Sequence, residues 1–350
     1  MQYVDARDYG AVFNGVADDT AAIQAAIDAA VRPNSNPNPN DWRAAIVQLP
    51  PGDGRISGTL TLPANVWLRG HGPASTYLYN DTVGWALALK SGREVQISIT
   101  DLGIINKYDA GNGIDLTRTG GASILGDTAH RVENVTVVGG RCALNTFGGT
   151  EDRILNFMAY RQMPVSGSAA VYIAGSDCMV ERVTIAQTRN PGLYGGAGLR
   201  ASSSNSRFVN VKIFGGDPAP PGGEKQGAFI LIGQRNLVTA LEVQDYPGCA
   251  IEDHQGLSTF QGVTIDSVKG GGVFVMPGAL RPVYSGLQVY WRPGGRFMTP
   301  WALSVPDNSG AIIDTTLFRV GGIGVNKVFS SPDQTGAGNF ITANGSRVGS

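Results

Sequence analysis

The chain has 350 residues, and its Lys plus Arg (27) nearly cancels its Asp plus Glu (28). Such a balance leaves no long-range field to draw in DNA or anionic lipid, so nucleic acid is excluded and a neutral or mildly charged partner is expected. Gly supplies 49 residues and charged types only 16%, which describes many tight turns and little charged surface. At this length it suits a fold that grows by stacking repeats.

The three cysteines, Cys142, Cys178 and Cys249, lie far apart, lack CxxC spacing and are odd in number. They are read as small core residues, and no disulfide framework, metal or cofactor is predicted. No run of 18 apolar residues exists, so no membrane insertion is expected. The opening MQYVDARDYGAVFNG lacks the basic start and apolar stretch of a secretory signal. An extracellular site then implies either a mature secreted form or release from a lysed cell within a virus particle.

In chain order, Asp18, Asp19 and Thr20 offer N-cap oxygens before AAIQAAIDAAV, which predicts one helix. Ile23, Ile27 and Val31 fall at four-residue spacing beside Ala26 and Ala30, giving a single apolar stripe expected to plug the open end of a solenoid. PNSNPNPND must be an exposed loop. We take 1–43 as the N-terminal strand, capping helix and loop, and 44–350 as the repeating domain with a short C-terminal tail.

From Ala44 on, short β-branched pieces each end in Pro or Gly. VTIAQT, VNVKIFG, TALEVQD, QGVTIDS, SGLQVYW and IIDTTLF recur before a turn and a second short strand. Equating Val243, Ile265 and Val289 gives steps of about 22 and 24 residues, the size of one solenoid coil. The second strands GAFILIG, GCAIEDH, GGVFVMP and PWALSVP are aligned with Ile230, Ile251, Phe274 and Leu303 in one stack and Leu231, Glu252, Val275 and Ser304 in the next. A β-sandwich is the competing fold, but its NG or DG hairpin signals are scarce here. The fold class is therefore all-β: a single-stranded right-handed parallel β-helix with an N-terminal capping α-helix.

DARDYGAVFNGVADDTAAIQAAIDAA followed by IVQLPPGDGRISGTLTLPANVWLRGHG resembles the opening of the pectate-lyase-like β-helix superfamily. The likeness spans about the first 70 residues. It implies a sugar-handling surface, since the same opening occurs on lyases, glycosidases, epimerases and phage spike or minor tail proteins. The NTD, DD and GHG series of polygalacturonases and the RxPxxR of pectate lyases are missing, and IEDH at 251–254 is only loosely similar to the lyase WIDH string. A Gly- and Asn-rich tail with few apolar residues, taken with this resemblance, implies a homotrimer in contact with other tail proteins.

Glycosidic cleavage usually needs two carboxyls about 5 to 9.5 Å apart, and adjacent coils stack about 4.8 Å apart. With Val243 and Ile265 inward, Glu242 and Asp266 become an outward candidate catalytic pair on neighbouring coils, with Lys212, Tyr290, Trp291 and Arg292 as candidate substrate-binding neighbours; ordinary solvent-facing polar residues on a β-surface are the alternative. Aromatic rings beside carboxylates suit a sugar. A second cluster, Glu252, Asp253 and His254, lies between apolar neighbours that would raise the Glu252 pKa and make it a candidate acid; local capping is the alternative. Arg281, Arg292 and Arg296 around Tyr284, Tyr290 and Trp291 fit acidic sugars or intersubunit contacts. The functional reading is a phage tail-associated protein that binds a bacterial surface polysaccharide, with depolymerisation left open. The alternatives are a secreted bacterial glycoside hydrolase or polysaccharide lyase, and a purely structural tail or adhesin element.

Overall fold

The computed structural model describes residues 2–30, 45–91, 96–118, 129–165, 167–187, 196–216, 226–290, 295, 299–307, 309–317, 319–320, 323–324, 327–329 and 339–348. By internal contacts the chain divides into two compact units, Met1–Gln162 and Met163–Ser350. The PNSNPNPND loop, Trp291, Arg292 and Arg296 lie outside the described residues.

In the first unit, Gln2–Asp5, Ala45–Gln48 and Val66–Arg69 stack in parallel on Ser98–Asn106 through its first residues, Ser98 to Thr100. Gly52–Ile56 and Thr76–Asn80 stack on its second half, from Gly103 onward. Two faces that begin as separate strands thus merge into one strand, bent at Asp101. Arg131–Val138 and Arg153–Gln162 continue both faces. Leu60–Leu62, Trp85–Leu89, Asn112–Asp115 and Cys142–Thr150 form the facing parallel sheet.

The bend has a chemical origin. Asp101, Asn134 and Asn156 occupy equivalent positions, each with φ between 48° and 58°, a left-handed conformation that costs roughly 1–2 kcal/mol for most residues and least for Asn and Asp. Their side chains offset the cost by forming a ladder: Asn134 Nδ2 donates to Asp101 Oδ1 (2.7 Å) and Asn156 Nδ2 to Asn134 Oδ1 (3.0 Å).

The second unit repeats this plan. Met179–Gln187, Arg207–Gly215, Leu237–Gln244, the pair Thr259–Gln261 and Thr264–Asp266, Val283–Tyr290, Ile312–Leu317 and Phe340–Ala343 stack in parallel. Their bend column is Arg182, Asn210, Ala240, Gly262 and Gly286, all with positive φ. The facing sheet runs Ala169–Ser176, Ala197–Ser204, Phe229–Leu231, Ile251–Asp253, Val273–Val275, Trp301–Ser304 and Lys327–Phe329. Each unit is therefore a parallel β-helix, with Val243, Ile265 and Val289 stacked and buried as the spacing predicts.

One expectation is corrected. The second strands stack Phe229, Ile251, Val273 and Leu303, so Ile230 and Phe274 sit one position off the register read from the sequence and align with Glu252 and Ser304. What sets this register is a column of small residues one position earlier: Ala86, Gly113 and Ala143 in the first unit, and Ala170, Gly198, Ala228, Ala250, Gly272 and Ala302 in the second. A Cβ at Gly113 would collide with the Ala143 carbonyl oxygen of the next coil and lie 2.9 Å from Val137 Cγ1, and one at Gly198 would lie 2.5 Å from Ile213 Cγ2, so both the neighbouring coil and the facing sheet leave these two positions no room for a larger side chain. In the Gly- and Asn-rich tail, the strand Phe340–Ala343 stacks in parallel on Ile312–Leu317 with Ile341 fully buried.

The one α-helix among the described residues, Thr20–Ala30, buries Ile23, Ala26, Ile27 and Ala30 against the first strands, each Ile contributing about 1.5–3 kcal/mol. Gln24 covers the open edge of Leu60–Leu62: Thr61 N–H donates to Gln24 Oε1 (2.8 Å) and Gln24 Nε2 donates to the Thr61 carbonyl (3.1 Å). The glutamine amide thus stands in for the missing next strand. Of the cap residues, Asp18 accepts from Thr20 N–H and Oγ1 and from Ser57 Oγ. Asp19 turns back and accepts from Val12 and Phe13 N–H, while its carbonyl receives the Ile23 N–H.

Gly198→Val should lower stability by about 1–3 kcal/mol through overpacking, read as a lower urea midpoint with unchanged slope. Hydrogen bonds from Ser57 and Thr20 depress the Asp18 pKa to about 2. A depressed folded-state value means its contribution is complete above the ordinary aspartate value of 3.8 and is lost as pH falls toward 2. Asp18→Asn should therefore lower the thermal midpoint at pH 7 and narrow the gap between pH 7 and pH 2.

Candidate functional site

Side chains alternate along a strand, so positions two apart share a face. In the second unit this puts Lys212, Glu242, Thr264 and Gln288 in one outward row, and Phe214, Gln244, Asp266 and Tyr290 in the next. The left-handed bend at Asn210, Ala240 and Gly262 turns the chain just before the first row and opens a groove of about 320 Å³. Asn210, Val211, Lys212, Ala240, Leu241, Glu242, Gly262 and Thr264 line it.

Lys212 Nζ lies 3.0 Å from Glu242 Oε1, with both side chains 40% exposed. An ion pair that open adds about 0–1 kcal/mol to stability, so folding alone does not demand it. Lys212 Nζ also sits 5.8 Å from the centre of the Phe214 ring. The groove thus offers an acceptor and a donor, and the Phe214 ring lies on the next outward row, outside the groove lining; together these are the kinds of group a sugar ring uses. Phe214 is absent from the candidates read off the sequence. Its signal is its place two residues after Lys212 in VNVKIFG.

Asp266 does not join Glu242 at the surface. It is 1% exposed and accepts a 2.6 Å hydrogen bond from Ser267 Oγ. The cause is the next residue: Ser267 is left-handed at φ 56°, so the chain turns a corner directly after Asp266. Tyr290 is half-buried on the same row.

The cluster at 252–254 splits by alternation. Glu252 and His254 share the outer side while Asp253 points inward and is fully buried. Glu252 Oε1 accepts from Gly227 N–H (2.5 Å), and Oε2 lies 3.2 Å from His254 Nε2. Burial pushes the Glu252 carboxyl up, but the His254 and Gly227 hydrogen bonds and the His254 charge outweigh it, so its pKa lies below the usual range. This corrects the expectation of a protonated acid: apolar neighbours are present, yet the local donors win.

Asp253 behaves the other way. Burial raises its pKa although Gly256 N–H (2.9 Å) and Tyr284 OH (3.2 Å) both donate to it. Tyr284 stacks on Phe260 at 4.4 Å, and Phe229 meets Phe260 and Phe208 edge-on. Asp253 therefore anchors an aromatic core column and has no route to a substrate. Among the described residues no group of three or more His, Cys, Asp or Glu could hold a metal ion, and no described helix is long and apolar enough to cross a membrane.

Residues 3–136 match the family described as rhamnogalacturonase A/epimerase, pectate lyase-like. The fold is the right-handed β-helix of the pectate-lyase-like superfamily of carbohydrate-active proteins. Within that superfamily, the mannuronan C5-epimerases AlgE5 and AlgE6 of Azotobacter vinelandii are 40% and 41% identical over 85 residues, which is 22% of this chain. The match covers 8% and 9% of those proteins, so the chain answers to under a tenth of their length. Among solved structures, the enzymatically active domain of tailspike protein 2 of bacteriophage CBA120 has a TM-score of 0.63 at 14% identity, covering 99% of this chain and 52% of that one. The Agl-KA catalytic domain has a TM-score of 0.56 at 15% identity, covering 98% and 68%. Both are likenesses of fold.

A buried carboxyl with a raised pKa penalises the folded state once it ionises, so its cost appears as pH rises through 3.8 toward the folded value. Asp253→Asn should consequently be more favourable at pH 7 than at pH 4, seen as a difference in urea midpoints relative to the wild type.

Proposed function

We propose that this chain is a bacterial polysaccharide-active protein that works outside the cell and seats its glycan in the groove around Lys212 and Glu242. The observation that carries the reading is the joining of an exposed carboxylate, an ammonium and an aromatic ring along one outer face of a β-helix. The sequence match to bacterial epimerases supports the secreted form over a virion tail part, because the tailspike likeness is one of backbone alone. Among the described residues Glu242 is the one carboxylate lining the groove and is the candidate acid or base should the glycan be cut; Asp266, sealed behind its corner, acts as a support for the Ser267 turn.

The test is retention of the chain on a panel of immobilised polysaccharides, with reducing ends and unsaturated products followed in the same samples. At least one polymer should bind, and Phe214→Ala and Glu242→Gln should each weaken it about tenfold, roughly 1.4 kcal/mol. Unchanged affinity in both folded variants would place the glycan elsewhere. Loss of product with Glu242→Gln, but not with Asp266→Asn, would add a catalytic role for Glu242.

A further inference from the structure

We infer that the groove selects an uncharged glycan and rejects a polyuronate; this rests on the reading just given and names its substrate class. The argument is one of charge balance. Lys212 is paired with Glu242 at 3.0 Å. The cation next along the bend column, Arg182, lies 3.5 Å from Glu181. Among the described residues, the outward positions beyond the bend, from Thr184 to Thr316, carry no further cation; apart from Glu242, Ala186 and the buried Asp266 they are Thr, Gln and aromatic side chains, and the exposed Arg207 lies at the start of its strand, before the bend.

A polyuronate brings one carboxylate per ring, and each buried carboxylate needs a cation or several N–H donors to replace its water. Here an entering carboxylate would meet Lys212 already neutralised and Glu242 beside it, so it would lose hydration and gain repulsion. A neutral ring faces neither cost. Its hydroxyls can donate to Glu242 and accept from Lys212, and the Thr264 hydroxyl adds a further partner. The bend residues Ala240 and Gly262 keep the floor low enough for that approach.

The experiment compares polygalacturonate with the same polymer after its carboxyl groups are reduced to primary alcohols, alongside neutral α- and β-linked glucans. The wild-type chain should retain a neutral polymer at least tenfold better than the native uronate, and the neutral complex should be insensitive to a change from about 50 to about 500 mM NaCl. Glu242→Gln frees Lys212 and should raise retention of native polygalacturonate at low salt at least threefold while weakening the neutral polymer. Tighter or equal binding of the native uronate, or no gain in the folded Glu242→Gln variant, would overturn the inference and leave the groove as a glycan site. Failure of every polymer of both classes to bind would overturn that reading as well.

Discussion

Each coil of this protein must turn its corners within a few residues and then lie on the coil before it, backbone to backbone, at about 4.8 Å. Everything else follows from that requirement. The corners are made by left-handed residues that recur in columns, and most are not glycine: Asp101, Asn134 and Asn156 at one bend, Arg182, Asn210 and Ala240 at its counterpart, Asp177, Asn205 and Arg235 at another. Stacking makes the strained conformation affordable. A residue held left-handed in one coil has a neighbour in the same state above and below, and the asparagines pass hydrogen bonds from one to the next.

The same requirement shapes the interior. Where the two sheets come together, the side chain facing the gap shrinks to Ala or Gly in coil after coil, so Ile213 and Val137 reach the opposite backbone. Polar groups accompany the columns inward. Ser206, Asn236 and Ser258 each accept the N–H of the preceding coil at the corner. Asp253 and Tyr284 share a buried hydrogen bond beneath the aromatic column. These groups satisfy backbone and side-chain polar atoms that water cannot reach, which is why two of the carboxylates that look reactive in the sequence prove to be structural.

The candidate site is a product of the bend. Lys212 and Glu242 are thirty residues apart, yet they meet because parallel stacking in register brings equivalent positions of successive coils into contact. The groove exists because the left-handed residue just before each of them turns the chain, and the chemistry it offers is carried by side chains that contribute little to folding.

Much of this was legible from the residues. The helix with its apolar stripe, the coil length, the inward row of Val243, Ile265 and Val289, and the outward placing of Lys212 and Glu242 all follow from the 3.6- and 2-residue periods, since burial imposes those periods on any chain that folds this way. The family opening carried the fold class. Aligning the bulky residues gives the wrong second-strand register, because the positions that stack closely are the small ones, Ala228, Ala250, Gly272 and Ala302. Other features could not be read in advance. That Asp266 is sealed depends on the left-handed turn of Ser267, that Glu252 is held ionised depends on the Gly227 N–H and His254, and that Phe214 lies beneath an ammonium depends on the Lys212 side chain folding over it. Periodicity reports which way a side chain points, a local property of the backbone. Exposure, protonation and company are set by what neighbouring coils bring to the same place, and only the tertiary structure decides those.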